Sequence, residues 1–249
     1  MAGFSSCMIC TAPRSGSTLL CRLLAATGVA GKPDSYFYAP TLDGCLKDLG
    51  VSPAPDRAGS ITALFRAAEA EGRGGSAIFG LRQQRHSLAF LSGALAELHP
   101  ALPGDVARFQ AVFGPTLFIH LTRADKLAQA VSWVLAEQRG LWHVAPDGTE
   151  LERTAPAQVP VHDAALLRDR VATLTAWDRD WNDWFAAEGV SPLRLSYDVL
   201  SADPGGTLAR VLAALGLDPA AARGVTPAVR RLSDATNADW VARLRAEPG

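Results

Sequence analysis

Near the start of the chain, Pro13-Arg14-Ser15-Gly16-Ser17-Thr18 combines the residue types needed to hold an anion. The segment lies between an apolar run, Ser6 to Ala12, and a stretch with Leu19, Leu20, Leu23 and Leu24 at helical spacing. The first turn of a helix leaves backbone N–H groups unpaired and carries positive partial charge, so phosphate or sulfate binds there readily. Gly16 lets the backbone approach an anion closely, and the hydroxyls of Ser15, Ser17 and Thr18 add donors. Arg14 supplies a permanent charge in a fork matched to oxyanions. The loop differs from the nucleoside-triphosphate loop Gly-x4-Gly-Lys-Ser/Thr. Ser17 stands where that loop needs Lys, the first glycine is absent, and the cation lies two residues before the glycine. A P-loop-type small-molecule kinase is therefore disfavoured. The blander reading is a serine-rich helix cap with a surface arginine.

A second anion site follows from Thr116 to Thr122, the most strand-like run in the chain, which ends at Arg123. Ser132 comes nine residues later, on the helix that follows. Ligands of parallel sheets collect at the carboxyl ends of strands, which puts Arg14 and Arg123 on one edge. Two anion sites on that edge suit a ligand with phosphate groups at both ends of a nucleoside.

Positioning these residues requires alternating strands and helices. Ser6 to Ala12 reads as a buried strand, and the helix after it closes at Gly28. A helix is expected from an N-cap at Ser60 to about Glu71, then a strand from Ala77 to Leu81 and a helix from Ser87 to Leu98. Another helix runs from Lys126 to about Gln138. Residues 140–161, with four Pro or Gly breaks after Leu141-Trp142-His143, read as a surface excursion or lid. His162 to Glu188 is a long helix whose Trp177, Trp181 and Trp184 recur at i, i+4 and i+7, a packing stripe rather than a sugar-stacking surface. Leu193 to Ser196 is a strand, Asp203-Pro204 opens a helix, and a last helix carries Trp240, Val241 and Leu244. The expected fold class is α/β: one domain over residues 1–249, three-layered, with a mainly parallel sheet flanked by helices.

Composition narrows the function further. With 24 Lys plus Arg against 25 Asp plus Glu, the net charge of −1 offers no field to hold a nucleic-acid backbone. The first ten residues hold no basic segment or signal-length apolar stretch, and no run is long enough for a membrane span, so a cytoplasmic location is expected. Cys7 and Cys10, three apart on a strand, point to opposite faces and read as two buried thiols rather than a metal or redox pair. No His/Cys/carboxylate cluster has metal-ligand spacing.

The stretches Arg14-Ser-Gly-Ser-Thr-Leu-Leu, Ala26-Thr-Gly-Val-Ala-Gly and Gln129-Ala-Val-Ser132-Trp carry a resemblance, as do Trp184-Phe185, Leu195-Ser-Tyr197, Leu212 to Pro219 and Asp239-Trp-Val. They look like the sulfotransferases that use 3′-phosphoadenosine 5′-phosphosulfate (PAPS), and more narrowly the chain resembles the bacterial trehalose 2-sulfotransferase family over nearly its whole length. The resemblance implies a P-loop-like sulfotransferase fold, PAPS as donor, adenosine 3′,5′-bisphosphate (PAP) as product and no metal. It also implies a small-molecule acceptor, such as a carbohydrate or other metabolite with a hydroxyl or amine, and a homodimer. On the same ground, Arg14, Ser15, Gly16, Ser17 and Thr18 hold the 5′-phosphosulfate, and Arg123 with Ser132 holds the 3′-phosphate. Arg82 matches a basic position close to the transferring group, and Arg231 a C-terminal basic position that helps enclose the nucleotide. For either arginine, the alternative is a solvated surface charge.

Sulfuryl transfer should parallel phosphoryl transfer, an in-line displacement dominated by positioning and electrostatics. The acceptor hydroxyl must still lose a proton to a base. The resembling family places a glutamate in the extended segment after the first helix, and aligning Gly31-x-Pro33 puts Ser35 there. A serine cannot serve unaided. Asp34 is adjacent, and although neighbours in an extended segment point to opposite sides, a slip or bulge would bring it in. Asp34 is thus the candidate base beside Arg14 and Arg82. His86 and His143 are substitutes that also read as structural, while His120 reads as a core residue and His99 as surface. Ser35 leaves a further alternative, a non-catalytic PAP-binding relative. The acceptor pocket is expected from residues 33–48 and 140–161.

Overall fold

A computed structural model describes residues 3–229 and 232–246. Its centre is a four-stranded parallel sheet in the order β2-β1-β3-β6. β1 (Ser6–Thr11) pairs with β2 (Phe79–Gln84) on one side and β3 (Thr116–Thr122) on the other, and β6 (Leu193–Ser196) extends β3. All six residues of β1 are buried, as expected for a central strand covered on both faces. Its side chains alternate between two cores: Cys7 and Ile9 enter one, Met8 and Cys10 the other. The two thiols are therefore separated by the sheet, and burial pushes Cys7 up to about 12.

One face is covered by α1 (Ser17–Ala26), through Leu20, Leu23 and Leu24. The other is covered by α2 (Leu42–Asp48), α3 (Arg57–Arg73), α4 (Leu88–Leu98) and α5 (Gly104–Phe113), where Phe79 stacks on Phe113 at 4.4 Å between ring centroids. After β3, α6 (Lys126–Arg139) leads into an antiparallel hairpin of β4 (Leu141–Val144) and β5 (Glu150–Arg153). α7 (Ala164–Ala187) then crosses back to the second core. After β6, α8 (Tyr197–Ala202) and α9 (Pro204–Ala214) join α1, and α10 (Ala235–Ala246) packs against α6. The α/β class and three layers are as expected. No helix among the described residues is long and apolar enough to cross a membrane.

Several boundaries differ from expectation for physical reasons. β2 runs to Gln84 rather than Leu81, because its polar end, Arg82-Gln83-Gln84, hides a strand that hydropathy cannot reveal. α3 starts a turn early: Asp56 is the cap, accepting from Gly59 N, and Ser60 is buried one turn inside. The expected lid at 140–161 holds a hairpin. The tryptophan stripe divides: Trp181 is buried and donates to Thr11 O at 3.0 Å, Trp184 donates to Asp105, and Trp177 faces a cavity.

Candidate active site

The four parallel strands deliver their carboxyl ends to one edge, and the candidate residues follow from them. Gly16 caps α1 at φ 86, and a Cβ there would stand 2.8 Å from the Tyr197 ring. Arg14 has φ 61, the sole positive φ of a non-glycine among the described residues. A left-handed L-residue costs about 1–2 kcal/mol, so the surroundings must hold it. Gln129 does part of this, donating from Nε2 to Pro13 O at 2.6 Å. The Ser15 hydroxyl lies 2.5 Å from Thr11 Oγ1 and is buried. It therefore turns away from the cavity, unlike Ser17 and Thr18, so the expectation of three donor hydroxyls is corrected to two.

Arg14 donates from Nε to Ser132 Oγ at 3.0 Å and from Nη1 to the Trp142 carbonyl at 2.7 Å. Burial first, and the nearby Arg123 second, lower it to about 10, so it stays charged at neutral pH. Arg123 is itself buried, its guanidinium 4.6 Å from the centroid of the Tyr197 ring. Ser132, grouped with Arg123 in the sequence reading, meets Arg14 instead. It sits six residues into α6, about 9 Å along the helix from its start. Ser132 thus stands with Arg14, while Arg123, across the Tyr197 ring, is not among the residues that line the cavity. Arg231 lies outside the described residues.

Arg82 gathers the rest. It donates to Ser35 Oγ at 2.8 Å, Thr18 Oγ1 at 2.7 Å and Asp34 Oδ1 at 2.9 Å. The surface-charge alternative fails for Arg82, whose side chain is 17% exposed. Asp34 and Ser35 do not point apart, because the extended run ends between them. Gly31, at φ 78 and with no room for a Cβ beside Ile78 O, leads the chain onto β2, where Asp34 forms one bridge to Leu81 before the chain turns. Asp34 Oδ1 then accepts from Ser35 N at 2.7 Å, and both side chains reach the cavity.

Because Thr18 Oγ1 accepts from Arg82, its own hydrogen is free for His143 Nε2, 2.9 Å away. Burial, then Arg14, Arg82 and Arg22, push His143 down to about 3. The ring is neutral at pH 7, and its 3.4 Å approach to Glu152 is not an ion pair. His86 sits between the Tyr38 and Trp177 rings and is lowered by burial. His120 is a core residue as expected, beside Arg194 and depressed to about 4.

Arg14, Arg82 and their partners line one cavity of about 1050 Å³, at the upper end of the range for small-molecule sites. Arg14, Ser17, Thr18, Asp34, Arg82 and His143 form one part of its wall, and Trp133, Trp142, Trp177 and Tyr38 contribute aromatic surface. Sequence reasoning missed the Trp142 carbonyl, Gln84 and the organising role of Tyr197. Only Tyr197 left a signal, as part of the resembling stretch Leu195-Ser-Tyr197. Among the described residues, no group of His, Cys, Asp or Glu could hold a metal ion.

The family model described as Stf0 sulphotransferase matches residues 6–247. A protein named trehalose 2-sulfotransferase from Mycobacterium tuberculosis (strain ATCC 35801 / TMC 107 / Erdman) is 30% identical, covering 96% of this chain and 94% of its own. A protein of the same name from Mycolicibacterium smegmatis (strain ATCC 700084 / mc(2)155) is 29% identical over the same shares. A solved sulfotransferase domain from the Synechococcus PCC 7002 olefin synthase, at 16% identity, covers all of this chain and 90% of its own, with a TM-score of 0.46.

Proposed function

The chain belongs to the Stf0 sulphotransferase family, and from that premise we propose that this sulfotransferase moves a sulfuryl group from PAPS to a hydroxyl of a carbohydrate or similar small acceptor. The observation that carries the reading is the convergence of Arg14, Arg82 and Thr18 at the N-terminus of α1. Thr18 Oγ1 is 2.7 Å from Arg82, and the wall also holds Arg14. Two guanidinium groups and a helix N-terminus suit the anionic bridge of a phosphosulfate. Arg123, against the Tyr197 ring, supplies positive charge for the 3′-phosphate, and Ser132 on α6, which accepts from Arg14, adds a hydroxyl.

PAPS supplies the transferable group: the bond from sulfur to the bridging phosphate oxygen breaks as a bond from sulfur to the acceptor oxygen forms. Arg14 meets the negative charge that grows on the departing phosphate, and Arg82 holds the sulfuryl oxygens. Both act without titrating, since guanidinium stays charged. Asp34 takes the acceptor proton. Both hydrogen bonds to its carboxylate fall on Oδ1, which leaves Oδ2 for the acceptor hydroxyl. The proposal includes a homodimer, as the family resemblance implies, and the cytoplasmic location expected from the sequence.

Incubation with labelled PAPS and either trehalose or a metabolite extract tests this, with the sulfated product identified by mass. Asp34→Asn should cut turnover by about 10²–10⁴-fold, the usual weight of a general base. Asp34→Asn turnover equal to wild type would remove Asp34 from the mechanism. Phosphoryl transfer from ATP with no transfer from PAPS would overturn the donor assignment.

A further inference from the structure

Gln84 ends β2 and lines the cavity, yet it is only 7% exposed. Its Oε1 is buried with no hydrogen-bond partner. A buried amide oxygen without a donor is both costly and rare. The strand end is not loosely built, because Gln83, on the opposite face, donates to Gln84 O at 3.1 Å and Ser87 Oγ at 2.8 Å. Gln84 lines the cavity, but its unsatisfied oxygen lies beneath the wall, closed to solvent, and a turn about the last side-chain torsion is what brings it round to a ligand.

Side chains two apart on a strand share a face, so Gln84 stands beside Arg82, about 6.6 Å along β2. One six-membered ring carrying hydroxyls bridges such a span. Beyond Gln84, His86 packs between Tyr38 and Trp177, at 5.1 and 5.5 Å between ring centroids. Trp177 in turn lies against Trp133 at 5.4 Å. Those rings give the apolar face of a ligand ring something to cover. A primary amide offers an acceptor and two donors and turns easily about its last torsion. A hydroxyl both donates and accepts, so it satisfies either end of the amide, whereas a carboxylate or an ammonium satisfies one.

Resting on the transferase reading above, we infer that Gln84 is a specificity-determining residue of the acceptor subsite. It pairs with one hydroxyl of a neutral polyhydroxylated ring while another hydroxyl of that ring attacks beside Arg82. The amide stays short of a partner until the acceptor arrives.

The test uses PAP-loaded protein titrated calorimetrically with trehalose, glucose and singly deoxygenated trehaloses. Gln84→Met keeps the length of the side chain and removes both polar ends. It should bind trehalose about tenfold more weakly, with PAP affinity unchanged and Tm equal to or above wild type. Wild type should discriminate about tenfold against one deoxygenated trehalose, and Gln84→Met should not, which a purely structural glutamine would not produce. Gln84→Asn, still polar but too short, should lose the same affinity and serves if the methionine variant does not fold. Trehalose binding within twofold of wild type in either variant overturns the inference alone. Wild-type protein that binds PAP but none of the sugars overturns the carbohydrate reading and this inference together, and failure to bind PAP overturns the transferase reading itself.

Discussion

At the residue scale, Arg14 is held in a costly state. It combines a left-handed backbone at φ 61, burial, and a second arginine near enough to lower it to about 10. A free protein gains little from that arrangement, but a bound anion offsets the burial and the repulsion at once. Arg14→Gly should therefore leave Tm within about 2 °C of wild type, since glycine takes the same φ without strain. Transfer should fall about 10²–10³-fold, the usual loss for one preorganised donor at a developing charge. Thermal melts and turnover on the same samples check both halves, and an Arg14→Gly variant with wild-type kcat would refute the role. His143 makes a second prediction. Its ordinary value of 6.5 drops to about 3 in the folded chain, so between those values the unfolded chain binds a proton that the folded chain does not. Stability is then complete above about pH 6.5 and declines as pH falls toward 3. His143→Gln should lose up to about 2 kcal/mol less stability than wild type between pH 7 and 5, read by urea titration at both values. Parallel declines in the two proteins would contradict it.

At the scale of elements, the β4–β5 hairpin is fastened to the loop it covers. Arg14 donates to the Trp142 carbonyl and Thr18 meets His143, so β4 occupies two of the side chains proposed to receive the donor's phosphosulfate. A donor that takes those atoms must loosen the hairpin. Adding PAP should speed amide hydrogen exchange across residues 141–153 while slowing it across 14–18, and an unchanged hairpin would show that it stays latched. The sequence indicated a lid at 140–161 from its Pro and Gly breaks but not this fastening, because a backbone carbonyl leaves no mark in residue type. The loop at 13–18 was legible for the opposite reason: a glycine, hydroxyls and a cation between a strand and a helix are side-chain statements. Asp34 and Ser35 share the cavity without the slip or bulge that the sequence reading needs, because alternation holds only while a strand continues, and here it ends after a single bridge to Leu81. The end of β2 was hidden since three polar residues there follow tertiary pairing with β1, not hydropathy.

At the scale of the molecule, the parallel sheet sets the order in which charge meets a ligand. β1 lies between β2 and β3, so Arg14 stands between Arg82 on one neighbour and Arg123 on the other. A donor with a 5′-phosphosulfate and a 3′-phosphate spans from the first strand to the third, and its affinity should need both ends. At about 100 times its Kd, PAP stabilises the folded chain by roughly 2.7 kcal/mol. For a chain of 249 residues, that is a Tm rise of roughly 5–10 °C. ATP and adenosine 5′-phosphosulfate, which lack the 3′-phosphate, should give clearly less at the same concentration. Arg123→Ala should weaken PAP about 10–100-fold, the worth of one charged hydrogen-bond partner, and bring it level with adenosine 5′-phosphosulfate, whose own affinity should hardly change. Arg14 variants should weaken both ligands. If Arg123→Ala instead weakens both equally, the arginine acts by supporting Tyr197 and Gly16 rather than by reading the 3′ end. The assignment of the two ends of the donor to neighbouring strands would then have to be reversed or abandoned.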